Sequence, residues 1–260
     1  TDHIYGIDKG HYFYPASTVK MPVAILALQK LRELNIPGLD ANSTMITENG
    51  YSGQTPVYND PSTPDGKPTI AHSIKKIFLV SDNDAFNRLY EFLGQEYINK
   101  KLRFMGYERT EIIHRLERFL NEEENRYTNP VTFYDGSGKV LCNQPMQFNQ
   151  QPYQQRNDWL GNAYYKGDKL VNGPMDFSKK NRLVLEDLHQ LVRSILFPDD
   201  VPFRQRFNIS TDDYRFVWKY MSQYPGETFY PSYTSPDYWD AYCKFLYWGS
   251  EKLPLPKTFR

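Results

Sequence analysis

One segment of this chain has little choice of structure. Residues 17–34 read Ser-Thr-Val-Lys-Met-Pro-Val-Ala-Ile-Leu-Ala-Leu-Gln-Lys-Leu-Arg-Glu-Leu. Apolar side chains occupy nearly every face of the helix this string would form, which predicts a central buried helix rather than a surface one. Pro37 and Gly38 end it. At its start stand Ser17 and Lys20. A spacing of three puts both side chains on one face, one turn apart. A serine hydroxyl is a weak nucleophile until a neighbouring base takes its proton. A helix start adds free N–H groups and partial positive charge, which favour a developing oxyanion. Taken alone, Ser-x-x-Lys is a common string, explained as often by a capping hydroxyl followed by a solvated lysine.

The chain has 260 residues, enough for one large domain or two small ones, and at 40% hydrophobic residues it can bury a core. Its 31 basic and 31 acidic residues cancel, so nothing points to a nucleic-acid surface. The longest apolar run, Val23 to Leu28, is far too short to span a membrane. The two cysteines, Cys142 and Cys243, have no metal-ligand spacing, and the five histidines form no His-x-x-x-His pair. One disulfide could form, but nothing requires it. No metal and no cofactor are expected. The 21 Tyr and 16 Phe, many in Pro-rich loops, fit a surface handling sugars, peptides or a ring-shaped ligand, and equally fit loops tied down by aromatic packing. The first residues, Thr-Asp-His-Ile-Tyr, read as a processed or cut end.

Along the chain, residues 3–14 read as a strand pair around Asp8-Lys9-Gly10. Residues 40–68 read as loops with little regular structure. Helices are expected at 69–79, 82–93 and 95–104, punctuated by Gly94 and Gly106. The charged stretch 107–130 reads as a structured loop. Residues 131–175 read as a polar insertion with one or two hairpins, turning at Asp135-Gly136, Ser137-Gly138 and Asn172-Gly173. Helices return at 178–196, 211–223 and 237–247.

Two further motifs carry chemistry. Ser81-Asp82-Asn83 opens the third helical region. It has the composition of an ordinary N-cap, or it aims a proton-relaying hydroxyl and a carbonyl-binding amide into a cleft. In Arg115-Leu116-Glu117-Arg118-Phe119-Leu120-Asn121, Glu117 and Asn121 could hold a water between them, the carboxylate as general base and the amide as orienter. The plain alternative is a salt-bridged charged loop.

Taken together, Ser-x-x-Lys, Ser-Asp-Asn and Arg-x-Glu-x-x-Leu-Asn, in that order, resemble the class A β-lactamases and the wider penicillin-recognising serine hydrolases. The separations fit, 64 residues from Ser17 to Ser81 and 36 from Ser81 to Glu117. The string Ser-Asp-Asn-Asp-Ala-Phe-Asn-Arg-Leu is similar to the family's text after its second motif. The resemblance is close over residues 11–130 and continues weakly, in helices only, over 178–222.

This resemblance implies an α+β fold of the β-lactamase/transpeptidase type in a single domain, 1–260. It implies that Ser17 is acylated and that its own N–H is one oxyanion donor. Lys20 would take the Ser17 proton, directly or with Glu117 acting through water. Ser81 would pass a proton to the leaving nitrogen, and Asn83 would bind the substrate amide. Glu117 and Asn121 would hold the deacylating water. Asn87 would brace the Glu117 loop. Arg115 would anchor it, although its usual aspartate partner is not evident and Asn125 stands near that place. The resemblance further implies a β-lactam or peptidoglycan-like substrate, a monomer, and a periplasmic or secreted setting.

The sequence also departs from the family. No Lys-[Ser/Thr]-Gly occurs; the nearest string is Lys257-Thr258-Phe259. The three C-terminal strands of the family have no candidates, so the helical lobe is expected largely present and the antiparallel sheet incomplete. Either the remaining strands belong to a longer chain, or this is a divergent, inactive relative. In both cases the insertion hairpin is the only strand candidate to cover helix one.

Overall fold

The computed structural model describes residues 10–51, 55–234 and 236–242. The expected buried helix is there. A 3-10 turn over Ala16–Val19 leads into α1, Lys20–Leu34. Val23, Ala24, Ile25, Leu26 and Ala27 have no exposed surface. Burial of a large apolar side chain contributes about 1.5–3 kcal/mol, so α1 is the axis of the core. It ends at Asn35 in the left-handed conformation, φ 48°, one of the few residue types that tolerate it.

The strand β1, Thr44–Thr47, lies inside the stretch read as loops. Then come α2, Ile70–Val80, α3, Asn83–Leu93, and α4, Gln95–Phe104. Their starts follow capping chemistry. Thr69 accepts the His72 N–H at 3.0 Å, and Asp82 accepts the Ala85 N–H at 2.8 Å. Gly94, φ 75°, separates α3 from α4, and a Cβ there would stand 2.7 Å from Gln147 Oε1. One buried cluster joins α1 to Phe86, Leu89, Tyr90 and Phe92 of α3, Ile98 and Leu102 of α4, and residues of the later helices.

A single-turn helix α5, Glu122–Arg126, interrupts the expected loop. The strands β2, Val131–Tyr134, and β3, Val140–Gln144, form a hairpin at the expected Asp135–Gly138 turn. β1 pairs antiparallel with β2, Thr44 opposite Tyr134, giving the sheet order β1-β2-β3. This corrects the boundary of the insertion, because Val131 and Phe133 are core residues with Leu141 and Cys142 packed against them. Lys30 ties the sheet to the helices: its buried Nζ donates to the Phe92 carbonyl at 2.5 Å and to Gln144 Oε1 at 2.7 Å. Burial lowers its pKa to about 8.

The rest of the insertion forms two small ribbons. β4, Trp159–Leu160, pairs with β7, Met175–Asp176; inside them β5, Ala163–Lys166, pairs with β6, Lys169–Asn172. The inner turn is Gly167-Asp168, not Asn172-Gly173. Asn172 completes β6, and the Gly173 N–H reaches the Asn162 carbonyl at 2.8 Å. This inner ribbon is largely exposed, so it does not cover helix one. That work falls to β1–β3 and to two later helices in the same cluster, α6, Leu185–Leu196, and α7, Thr211–Ser222.

Three further expectations change. His11–Tyr14 is not part of a strand, and the first half of that expected strand pair lies outside the described residues. α6 starts seven residues later than expected, at Leu185 rather than 178, because residues 178–184 lie across the Glu117 region; Arg182 pairs with Glu111 in a β-bridge. Residues 237–242 form turns rather than a helix. Cys142 is a free thiol, while Cys243 and Lys257-Thr258-Phe259 lie outside the described residues. Among the described residues, no helix is long and apolar enough to cross a membrane.

Candidate active site

Ser17 sits on the 3-10 turn that feeds α1. The turn closes through the Thr18 N–H and Oγ1, both donating to the Pro15 carbonyl, at 3.0 and 2.6 Å. Ala16, just before Ser17, has φ 44°. A positive φ costs an L-residue about 1–2 kcal/mol. The Ser17 hydroxyl is exposed, and its backbone N–H takes no acceptor among the described residues. Lys20, at 2% exposure, lies beneath it. Its Nζ donates to Ser17 Oγ at 3.0 Å, to Ser81 Oγ at 2.9 Å and to the Ser81 carbonyl at 2.5 Å.

Ser81 reaches that amine because α2 ends on it. The residue is left-handed, φ 59°, and its N–H closes the last helical turn on the Ile77 carbonyl at 3.0 Å. Asp82 caps α3 and Asn83 is the first residue of that helix. The ordinary reading of this motif, a helix start, is therefore correct for Asp82, while Ser81 and Asn83 on either side face the site.

Asn83 Nδ2 donates to Glu117 Oε2 at 2.7 Å. Glu117 is exposed and is itself left-handed, φ 54°. Only four non-glycine residues among those described have positive φ, and Ala16, Ser81 and Glu117 are three of them. Backbone strain of this kind persists only where surrounding structure enforces it, and it gathers at functional sites.

The loop carrying Glu117 is held from behind. Asn87 Nδ2 donates to the Leu116 carbonyl at 2.9 Å, and its Oδ1 accepts the Leu116 N–H at 3.0 Å. Arg115 has a carboxylate partner after all. Its Nε and Nη2 reach Glu91 Oε1 at 3.0 and 2.8 Å, with both side chains at 3% exposure. The other Glu91 oxygen accepts the Asn129 N–H at 2.5 Å. Glu91 stands one turn beyond Asn87 on α3, so the two residues that hold the loop share one face of that helix. Asn125 is a hub rather than a substitute anion: Oδ1 accepts the Arg115 N–H at 2.9 Å, and Nδ2 donates to the Leu120 carbonyl at 3.1 Å.

Asn121 is placed differently from the other site residues. Its Oδ1 caps α5, accepting the Glu124 N–H at 2.9 Å, while Glu124 Oε2 accepts the Asn121 N–H at 2.6 Å. This capping box commits the side-chain carbonyl to the helix. The remaining residues form two hydrogen-bonded groups, Ser17–Lys20–Ser81 and Asn83–Glu117, joined through the backbone of Ser81-Asp82-Asn83.

His114, which sequence reasoning left unassigned, joins the two halves of the site. Its ring stacks on Tyr14 with centroids 6.3 Å apart, and its Nδ1 lies 2.6 Å from the Arg115 carbonyl. Burial lowers its pKa to about 4, so it is neutral at pH 7. The neutral ring therefore donates from Nδ1.

A model of the beta-lactamase enzyme family matches residues 1–140. The chain belongs to the beta-lactamase enzyme family. Every residue of the site just described lies inside the matched stretch, so the family assignment and the geometry rest on the same part of the chain. The match also covers β1 and β2. The two ribbons, α6 and α7 lie beyond it. No curated protein matches the chain. In this beta-lactamase family member, the exposed Ser17 hydroxyl rests on the buried Lys20 amine, which donates to it at 3.0 Å.

Proposed function

We propose that this chain is a serine hydrolase of the class A β-lactamase kind, with the α+β fold of that class. The observation that carries the reading is the position of Lys20 Nζ between Ser17 Oγ and Ser81 Oγ. Ser17 Oγ attacks the amide carbonyl while its proton passes to Lys20. The Ser17 N–H, uncommitted within its turn, faces the oxyanion. As the C–N bond breaks, the proton moves from Lys20 through Ser81 Oγ to the departing nitrogen. Asn83 binds the substrate's side-chain amide. Water then attacks the ester on Ser17, Glu117 accepts its proton, and Ser17 recovers its hydroxyl. The substrate is a β-lactam, and the setting is periplasmic or secreted, with the protein acting as a monomer.

A second reading has one observation in its favour. Asn121 caps α5, which leaves Asn83 as the one side-chain partner of Glu117 among the described residues. A water held less firmly would make acyl release slow, and the chain would then be a related peptidase or esterase of cell-wall amides.

Turnover of a chromogenic cephalosporin, with mass spectrometry of the protein, separates these. The first reading expects turnover that Ser17→Ala abolishes. A long-lived adduct on Ser17 without turnover favours the second. Turnover that survives in Ser17→Ala overturns both.

A further inference from the structure

The segment 147–156 lies beyond the family match, yet it packs against both ends of the Glu117 loop. Gln95, at 1% exposure, is the knot between them. Its Nε2 reaches the carbonyls of Ile113 at 2.7 Å and Asn125 at 2.9 Å, one on each side of Glu117. Its Oε1 accepts from Asn149 Nδ2 at 2.7 Å, and Tyr153 Oη meets both ends of the amide, accepting from Nε2 at 2.8 Å and lying 3.1 Å from Oε1. The Gln95 amide is thus oriented by two residues of that segment.

Other contacts hold the segment down. Arg126, the last residue of α5, stacks 3.8 Å from the Tyr153 ring centroid and donates to the Asn149 and Gln151 carbonyls at 2.9 and 2.7 Å. Upstream, Glu111 Oε1 accepts the Gln154 N–H at 3.0 Å. Downstream, the Thr128 N–H donates to the Gln147 carbonyl at 2.9 Å. The loop between these anchors needs them, because Glu117, Arg118 and Phe119 are all exposed. An exposed carboxylate on a strained backbone is only as well placed as the groups that fix its loop.

We propose that segment 147–156 is a strap, with Asn149 and Tyr153 as positioning residues that act through Gln95 on the placement of Glu117. Resting on the acyl-enzyme reading above, the strap sets how fast water releases the acyl group and leaves acyl formation unchanged. Acylation uses Ser17, on the turn before α1, and Lys20, its first residue, and the strap hydrogen bonds to neither.

The test compares Tyr153→Phe, which keeps the ring on Arg126 and removes the hydroxyl from Gln95, with Gln95→Ala. Burst kinetics with a chromogenic cephalosporin read acylation and deacylation separately, and hydrogen exchange reads the amides of residues 113–121. Deacylation is expected to slow about 3-fold in Tyr153→Phe and at least about 10-fold in Gln95→Ala, with acylation unchanged and exchange faster. If Gln95→Ala does not fold, Tyr153→Phe decides. Equal loss of both rates, or unchanged deacylation and exchange, overturns the strap. If the wild-type chain neither turns over nor forms an adduct, the acyl-enzyme reading fails on its own, and faster exchange in Tyr153→Phe still supports the strap while unchanged exchange overturns it.

Discussion

Lys20 is buried at 2% exposure, while Ser17, whose hydroxyl it touches at 3.0 Å, stands in solvent. The amine is therefore reached through hydroxyls rather than through bulk water, with Ser17 on one side of it and Ser81 on the other. In the proposed mechanism this arrangement would give the proton a direction, in from Ser17 and out through Ser81 toward the leaving group.

In the proposed mechanism, acyl formation rests on Ser17 and Lys20, and acyl release on Glu117. Glu117→Gln keeps an acceptor for Asn83 but removes the base. Acylation of Ser17 is expected to persist, and release to slow by about 100-fold or more, the usual scale of a general base. Intact-protein mass spectrometry after mixing with a penicillin reads this as an accumulating adduct.

Asn121 separates two roles that share one side chain. Asn121→Ala removes the α5 cap and is expected to cost about 1 kcal/mol. Asn121→Asp keeps an oxygen for the Glu124 N–H and is expected to be nearly neutral in thermal unfolding. Both variants remove the amide donor, so both slow acyl release if that donor orients the water.

The Arg115–Glu91 pair is buried on both sides. Removing one partner leaves an uncompensated charge, at a cost of about 3–5 kcal/mol. Arg115→Ala and Glu91→Ala are each expected to lower the urea midpoint sharply. In the double variant, the loss is expected to be smaller than the sum of the two.

Two buried histidines set an acid limit. Burial lowers His72 and His114 to about 4 each. Asp60 opposes the shift at His72, while Lys76 and Lys75 reinforce it; at His114 the Arg115 carbonyl opposes it, and Lys180 and Arg156 reinforce it. Between the unfolded pKa of about 6.5 and the folded value, the unfolded chain binds protons that the folded chain does not. Stability is therefore full above about pH 6.5 and falls as pH drops toward 4, by at most about 1.4 kcal/mol per pH unit for each ring. His72→Gln, which keeps a donor for Ser62 Oγ, is expected to flatten the decline in urea midpoint between pH 6.5 and 4.5.

What was legible in the sequence was local. The apolar surround of residues 17–34, the caps Thr69 and Asp82, the break at Gly94 and the ordered motifs at Ser17, Ser81 and Glu117 are short-range signals, and short-range chemistry decides helix ends and spacing. β1 was hidden because Thr44–Thr47 is four residues long and gains its partner strand from Val131–Tyr134, far along the chain. The late start of α6 has the same origin: residues before Leu185 pair with Glu111 instead of coiling. Asn121 shows the reverse failure. Its local signal, an amide three residues before a glutamate at a helix start, was a capping box, and the family pattern drew attention away from it.

The sequence by itself determined a buried first helix, a Ser17–Lys20 pair one turn apart, and the family to which they belong, because each depends on residues within a few turns of one another. Tertiary structure decided which charges meet. It brought Glu91 to Arg115, set Ser81 on Lys20 at the end of α2, and laid residues 147–156 against the Glu117 loop. Those contacts join residues 19 to 61 positions apart in the chain, and no local propensity encodes them; they exist because packing α2 and α3 against α1 leaves buried polar groups that must find partners.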